Sequence, residues 1–209
     1  MGGCASVEGL YNKLLGNSLK SYKVGKTDID IINQKPLSAL SECLVIPVFE
    51  TFSVDPVVLE VEEADKPTLL GPLNKLLEGV VPELKEKRVA YTSCSGIAMN
   101  LKHIIFLAVD SNQSFTKDKL AAQIVSALNV ATQHKLSAVS FSKLCKGGQI
   151  GISLPDVSTG IAQGCKQHLS TPPADMGLQR VFFTSADTGY NNELLRAFDA
   201  ALAVPAPSA

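Results

Sequence analysis

The chain of 209 residues has no tryptophan, three histidines and only 6% aromatic residues. It also lacks a surplus of either charge: nineteen Lys and Arg stand against twenty Asp and Glu, for a formal net charge of −1. Binding a nucleic-acid backbone needs clustered excess cations, so this balance argues against a nucleic-acid partner. Basic pairs such as Lys85, Lys87 and Arg88 read as a solvated face. The five cysteines, Cys4, Cys43, Cys94, Cys145 and Cys165, are odd in number and far apart, and none forms a CxxC pair. That argues against a disulfide framework or a zinc site and fits a reducing compartment. No run approaches the roughly 20 apolar residues that span a bilayer. The N-terminus lacks the basic segment and apolar stretch of a secretory signal. The expected location is cytoplasmic.

Catalytic signals are equally sparse. His103, His134 and His168 have no second ligand at metal spacing, so they are read as structural and no metal site is assigned. Ser95, in SCSGIA, is not in a G-x-S-x-G elbow. Glu60, Glu62, Glu63 and Asp65 have no companion acid or base nearby and read as a solvated strand edge that discourages pairing. Cys145 precedes a helix start, which can lower a thiol pKa, but no base accompanies it. No catalytic residue and no cofactor are assigned.

What the chain does have is 45% hydrophobic residues, enough for one core. It opens MGGCAS, which fits the M-G-x-x-x-[ST] pattern for myristoylation of Gly2 and places Cys4 for palmitoylation. One acyl chain gives only marginal membrane binding, with K on the order of 10⁴ M⁻¹; a second makes the anchor stable. A membrane surface is thus an expected partner, through Gly2 and Cys4.

The segment VEGLYNKLLGNSL, with Leu10, Leu14, Leu15 and Leu19, has the spacing of a short amphipathic helix. KSYKVGKTDIDII looks extended, and ECLVIPVF (42–49) reads as a strand buried on both faces. PVVLEVEEAD (56–65) is expected to be a second, more exposed strand. Residues 68–87 read as helix in two pieces, because Pro72, Gly79 and Pro82 interrupt the pattern. RVAYTS and HIIFLAV are strand candidates. Residues 116–135 form a helix with Thr116 as N-cap and Asp118 in its first turn. SAVSFSKL (137–144) and RVFFTSA (180–186) are further strands. Residues 153–169 and 192–202 are helices, the first loosened by two glycines. This alternation predicts an α/β domain with a mixed, mostly parallel sheet covered on both faces. The expected organisation is an N-terminal segment 1–21, a domain 22–203 and a flexible tail 204–209.

SKLCKGGQIGIS, residues 142–153, joins a buried strand to a helix. Gly147, Gly148 and Gly151 let a bound group approach the main chain, and Ser153 with Asp156 makes the [ST]-x-x-[DE] capping pattern. Free amides and the positive end of the helix dipole make such a loop an anion seat; an ordinary connector is the other reading.

A family resemblance joins these pieces. SAVSFSKLCKGGQIGISLPDVSTGIAQGCKQHL resembles the last third of a macro domain, where a strand leads through a P-x-x-G-T-G-x-x-G-[FY]-P type of loop into a helix. Ser142 stands in the proline place, Lys146-Gly147-Gly148 in the central glycine stretch, and Gly151-Ile152-Ser153 in that of Gly-aromatic-Pro. LQRVFFTSADTGYNNELLRAFDAAL resembles the closing strand and helix of that fold, NLKHIIFLAVD its middle strand, and KTDID is similar to its early K-G-D-I-T segment. The resemblance, over residues 22–202, implies a three-layer α/β/α mixed sheet. It also implies a pocket for ADP-ribose or a related nucleotide, with Asp28 toward adenine and Gly147, Gly148, Gln149, Ile150 and Gly151 around the diphosphate. The family's N-A-A-N strand end and G-G-G-V-x-x-A-I loop have no counterpart here. ECLVIPVFE and GPLNKLLEG also resemble the N-terminal domain of leucine aminopeptidases, which is macro-like and carries no chemistry; no metal-binding catalytic domain is expected within residues 1–209, so the resemblance does not imply peptidase activity.

Three readings follow: a non-catalytic binding or scaffold module that takes an ADP-ribose-like nucleotide or a protein partner; an ADP-ribosyl hydrolase with a rearranged catalytic loop; or a structural protein whose pocket has been lost.

Overall fold

Strand-forming runs and helical stretches alternate along the chain, and they assemble into one seven-stranded sheet. The computed structural model describes residues 18–38, 41–98, 100–109, 115–144, 152–171 and 177–203. The strands are β1 (Ser18–Val24), β2 (Thr27–Asn33), β3 (Cys43–Val48), β4 (Val89–Ser93), β5 (His103–Ala108), β6 (Ala138–Phe141) and β7 (Arg180–Ser185). They lie in the order β1-β2-β7-β6-β3-β5-β4. The pairs from β2 to β5 are parallel, and the two edge strands β1 and β4 run antiparallel to their neighbours. The expectation of a mixed, mostly parallel sheet with helices on both faces is met.

The central strand β3 shows why. All its residues are buried, as a continuous apolar run between two covered faces requires. The helices are α1 (Pro56–Leu59), α2 (Lys66–Lys87), α3 (Lys117–Gln133), α4 (Leu154–Ser170) and α5 (Thr188–Leu202). Helix α3 carries β5 to β6 and α4 carries β6 to β7, so successive parallel strands are joined by helical crossovers. Thr116 caps α3 by accepting from the Lys119 amide, as its place before the apolar periodicity predicts.

Four sequence expectations are corrected. Residues 56–65 are not a strand. Asp55 accepts from the Val57 amide, Pro56 opens a helical turn, and Glu60 closes it in the left-handed region at φ 53°, ψ 39°. Residues 66–87 form one continuous helix instead of two pieces. A proline inside a helix costs roughly 3 kcal/mol. Here Pro72 and Pro82 face solvent, and so do Thr68 and Glu78, whose carbonyls lose their partners to those prolines. Leu73, Leu77 and Leu84 are fully buried on the other face. Burial of each leucine contributes about 1.5–3 kcal/mol, which offsets the two interruptions. Strand β1 begins at Ser18, so Leu19 belongs to the sheet and not to an N-terminal helix, and the sheet starts ahead of the expected boundary at residue 22. Residues 7–17 of that expected helix lie outside the described residues, as does the tail 204–209. Finally, α5 starts at Thr188, ahead of residue 192, because Asp187 caps it by accepting from the Tyr190 amide.

Candidate functional site

The parallel strands β2, β7, β6, β3 and β5 direct their carboxyl ends to one edge of the sheet, and clefts in open α/β sheets form at that edge. The loop 145–151, with Gly147, Gly148, Gln149, Ile150 and Gly151, leaves β6 there but lies outside the described residues, as do Gly2, Cys4 and Cys145. Both of its flanks are described.

On the strand side, the amides of three successive residues are already used. Ser142 N donates to Val45 O at 3.1 Å and Lys143 N to Val58 O at 3.3 Å. Leu144 N donates to the Tyr190 hydroxyl at 3.3 Å. The Ser142 side chain is buried, and its hydroxyl has no hydrogen-bond partner among the described residues. On the helix side, Ser153 is extended and accepts from the Asp156 amide at 3.3 Å, while its hydroxyl donates to Asp156 Oδ2 at 2.7 Å. The capping pattern read from the sequence is therefore present at the start of α4. It places the helix's positive end beside the loop.

A second polar group gathers at the ends of β6 and β7. Lys143, with a side chain only 13% exposed, forms an ion pair with Asp187 and holds its ammonium 5.8 Å from the centre of the Tyr190 ring. The Lys143 ammonium and the Tyr190 amide hold the Asp187 carboxyl below the usual carboxylate range. Asn191, fully buried, donates from Nδ2 to Ser185 O at 2.8 Å. The Ser185 hydroxyl accepts from the Asp187 amide at 3.0 Å and donates to Glu60 Oε1. Glu60 Oε2 accepts from the Ala186 amide at 2.7 Å. The turn after α1 thus reaches across the carboxyl edge to β7, with Val58 and Leu59 buried beneath it.

Sequence reasoning missed Glu60. It treated that residue as part of a solvated strand edge, because the apolar alternation of PVVLEV resembles a strand. The adjoining Asp55-Pro56, a cap residue followed by the favoured first helical residue, is the signal that points to a helical turn there. Glu62 is not part of a strand edge either; it pairs with Lys35 at the end of β2.

Asp28 does not join this group. It is the second residue of β2, in register with Arg180 at the start of β7, and β6 begins at the same level with Ala138. The carboxyl end of β2 lies at Asn33, roughly 16 Å further along at about 3.3 Å per residue. Asp28 instead forms an ion pair with Lys23 of β1 at 2.9 Å. The structure therefore separates it from the loop, because residues at opposite ends of a strand cannot line one cleft mouth.

Two concavities lie nearby or apart. A recess of about 130 Å³ lies at the carboxyl ends of β3 and β5, where Phe49, Phe52 and Arg88 contribute to its wall. A larger, open groove of about 580 Å³ lies at the opposite end of the sheet, between α2 and residues 93–97. Among the described residues, no group of three or more His, Cys, Asp or Glu is placed to hold a metal ion, and no helix is long and apolar enough to cross a membrane.

A mixed seven-stranded sheet of this order between helices defines the class: the chain has the macrodomain fold. Solved structures carry the identification no further than that fold. A mutant of the Oceanobacillus iheyensis macrodomain solved with ADPR is similar at 15% identity, over 87% of this chain and 97% of that one, with a TM-score of 0.68. The macro domain of ganglioside induced differentiation associated protein 2 is 15% identical over 87% of this chain and 89% of its own, with a TM-score of 0.58. The Trypanosoma brucei macrodomain in complex with ADP is 13% identical over 81% of this chain and 68% of that one, with a TM-score of 0.56. No family model matches the sequence, and no curated protein matches it.

Proposed function

We propose that the chain is a non-catalytic binding module of the macrodomain fold whose ligand is ADP-ribose or a related nucleoside diphosphate. The observation that carries this reading is the Ser153-capped start of α4, which follows the Gly147–Gly151 loop at the carboxyl edge of the sheet. Anions bind where unpaired amides and a helix N-terminus converge, and glycines admit a phosphate close to the backbone. Two similar structures were solved with ADPR and with ADP, which supports the same ligand class for this cleft.

The non-catalytic reading rests on β3 and the segment after it. The N-A-A-N strand end and G-G-G-V-x-x-A-I loop of the macro-domain resemblance have no counterpart here, and ECLVIPVFETF and LLGPLNKLLEG, the latter within α2, stand in that region instead. Membrane attachment through acylated Gly2 and Cys4 belongs to the same proposal and is carried by the MGGCAS motif.

Calorimetric titration with ADP-ribose tests the ligand. Binding that is abolished by Gly148→Glu, which fills the seat and adds like charge, supports the loop assignment; equal affinity in that variant refutes it. Release of ADP-ribose from a modified protein by the wild-type chain would overturn the non-catalytic reading. Incorporation of labelled myristate in a eukaryotic host, lost on Gly2→Ala, is the expected result for the anchor; no incorporation into the wild-type chain removes it.

A further inference from the structure

The turn that crosses the carboxyl edge is held in an unusual way. Glu60 adopts φ 53°, ψ 39°, a left-handed conformation that residues other than glycine rarely take. Its carboxylate spends both oxygens on β7 and the segment that follows, one on the Ser185 hydroxyl and one on the Ala186 amide. Just before it, Val58 O occupies the Lys143 amide, two residues ahead of the glycine loop's first position at 145. Val58 and Leu59 are buried beneath. The segment therefore ties the end of β3 to the ends of β6 and β7 through main-chain and side-chain bonds at once.

The charges at this edge make the arrangement informative. Lys143 is paired with Asp187 and Lys35 with Glu62. Glu60 is bound by two neutral donors and makes no ion pair among the described residues. It lies in the field of Lys35 and beside the start of α5, which the Asp187 carboxylate already caps. The Ser185 hydroxyl and the Ala186 amide, two donors that could serve an anion, are thus taken by Glu60.

We propose that Glu60 is an internal stopper: its carboxylate stands in for a ligand anion at the carboxyl edge, and ligand binding requires the 56–60 turn to release. The proposal rests on the nucleotide reading for the identity of the ligand but not for the stopper itself. A module built this way binds its ligand weakly at rest and gains affinity when something else draws the turn away.

Two variants test it. Glu60→Gly removes the carboxylate and suits the left-handed backbone; Glu60→Gln keeps the shape and removes the charge. Inorganic pyrophosphate and ADP-ribose are titrated calorimetrically into the wild-type chain and both variants, with amide hydrogen exchange at Ala186 and Lys143 as a second readout. The expected result is pyrophosphate affinity at least tenfold higher in Glu60→Gly than in the wild type, a smaller rise in Glu60→Gln, and faster exchange at both amides in Glu60→Gly. If Glu60→Gly does not fold, a rise in Glu60→Gln of threefold or more sustains the proposal and its absence overturns it. Pyrophosphate affinity that is equal in all three chains, or undetectable in all, overturns the stopper. If the variants gain pyrophosphate affinity but none of the chains binds ADP-ribose, the stopper stands and the nucleotide reading fails.

Discussion

Gly164→Ala is expected to destabilise the protein, although alanine is the better helix former. Helices α3 and α4 cross at Gly160 and Gly164, one turn apart on α4. A Cβ on Gly164 would lie 2.6 Å from Ala121 O and 2.7 Å from Ile124 Cβ; one on Gly160 would lie 2.6 Å from Lys117 O. Backbone carbonyls cannot turn aside, so the helices would have to separate. Forcing an extra methyl into a packed contact costs typically about 1–3 kcal/mol. Replacing an interior helical glycine by alanine returns about 0.8–1 kcal/mol. The balance is a net loss of up to about 2 kcal/mol at either position, and in a protein of this size each kcal/mol lowers Tm by roughly 2–4 °C. Gly79→Ala in α2 is the matched control. Nothing lies within 4 Å of its Cβ position, so the propensity gain should appear alone as a rise in Tm. Thermal and urea unfolding of the three variants measure the contrast. If Gly164→Ala and Gly160→Ala stabilise as Gly79→Ala does, the close crossing is wrong, and with it the fixed direction that α4 gives to Ser153 and the loop.

Other outcomes follow from single groups. Burial holds the His168 imidazole below its ordinary value of 6.5, so the unfolded chain takes up a proton that the folded one refuses. Its contribution is complete above that value and is lost as pH falls through the depressed folded value; His168→Gln should flatten the decline in stability between about pH 7 and pH 5 on urea titration. Lys143→Met should let the Asp187 carboxyl titrate closer to its ordinary 3.8, seen by NMR, because the ammonium is the largest cause of its depression. The carboxylate's contribution is present above 3.8 and is lost as pH falls through its lower folded value, so the variant's loss of stability should be largest at neutral pH and shrink as pH falls below 3.8. Asp28→Ala should leave ADP-ribose affinity unchanged in a calorimetric titration, since Asp28 sits at the far end of β2; a loss of affinity would contradict the strand register.

Much of the architecture is legible in local pattern. A continuous apolar run such as CLVIPV has no stable place except between two covered faces, and it is the buried β3. The caps Thr116 and Ser153 announce their helices because a side-chain oxygen that satisfies a free amide is a local contact. The two glycines of α4 were misread as loosening the helix. Their reason lies in the Lys117 and Ala121 carbonyls of a helix many residues away, which no window of sequence contains. Helix α2 runs through two prolines for a similar reason, since burial of Leu73, Leu77 and Leu84 against the rest of the protein decides what local propensity would break.

The candidate site divides along the same line. The capped helix start after the glycine loop could be read from order along the chain, because a loop and the helix it enters are neighbours in sequence. The place of Asp28 could not: its motif-like surroundings say nothing about which end of the sheet it occupies, and that is set by pairing with Arg180 of β7. Nor could the role of Glu60, whose partners Ser185 and Ala186 follow more than a hundred residues later. Amino-acid order by itself determined most of the strands, the helices capped by Thr116 and Ser153, and the layered class, because these follow from contacts a few residues apart. Only the tertiary structure decided that the Glu60 carboxylate meets Ser185 and Ala186, because that depends on where distant strands end in space.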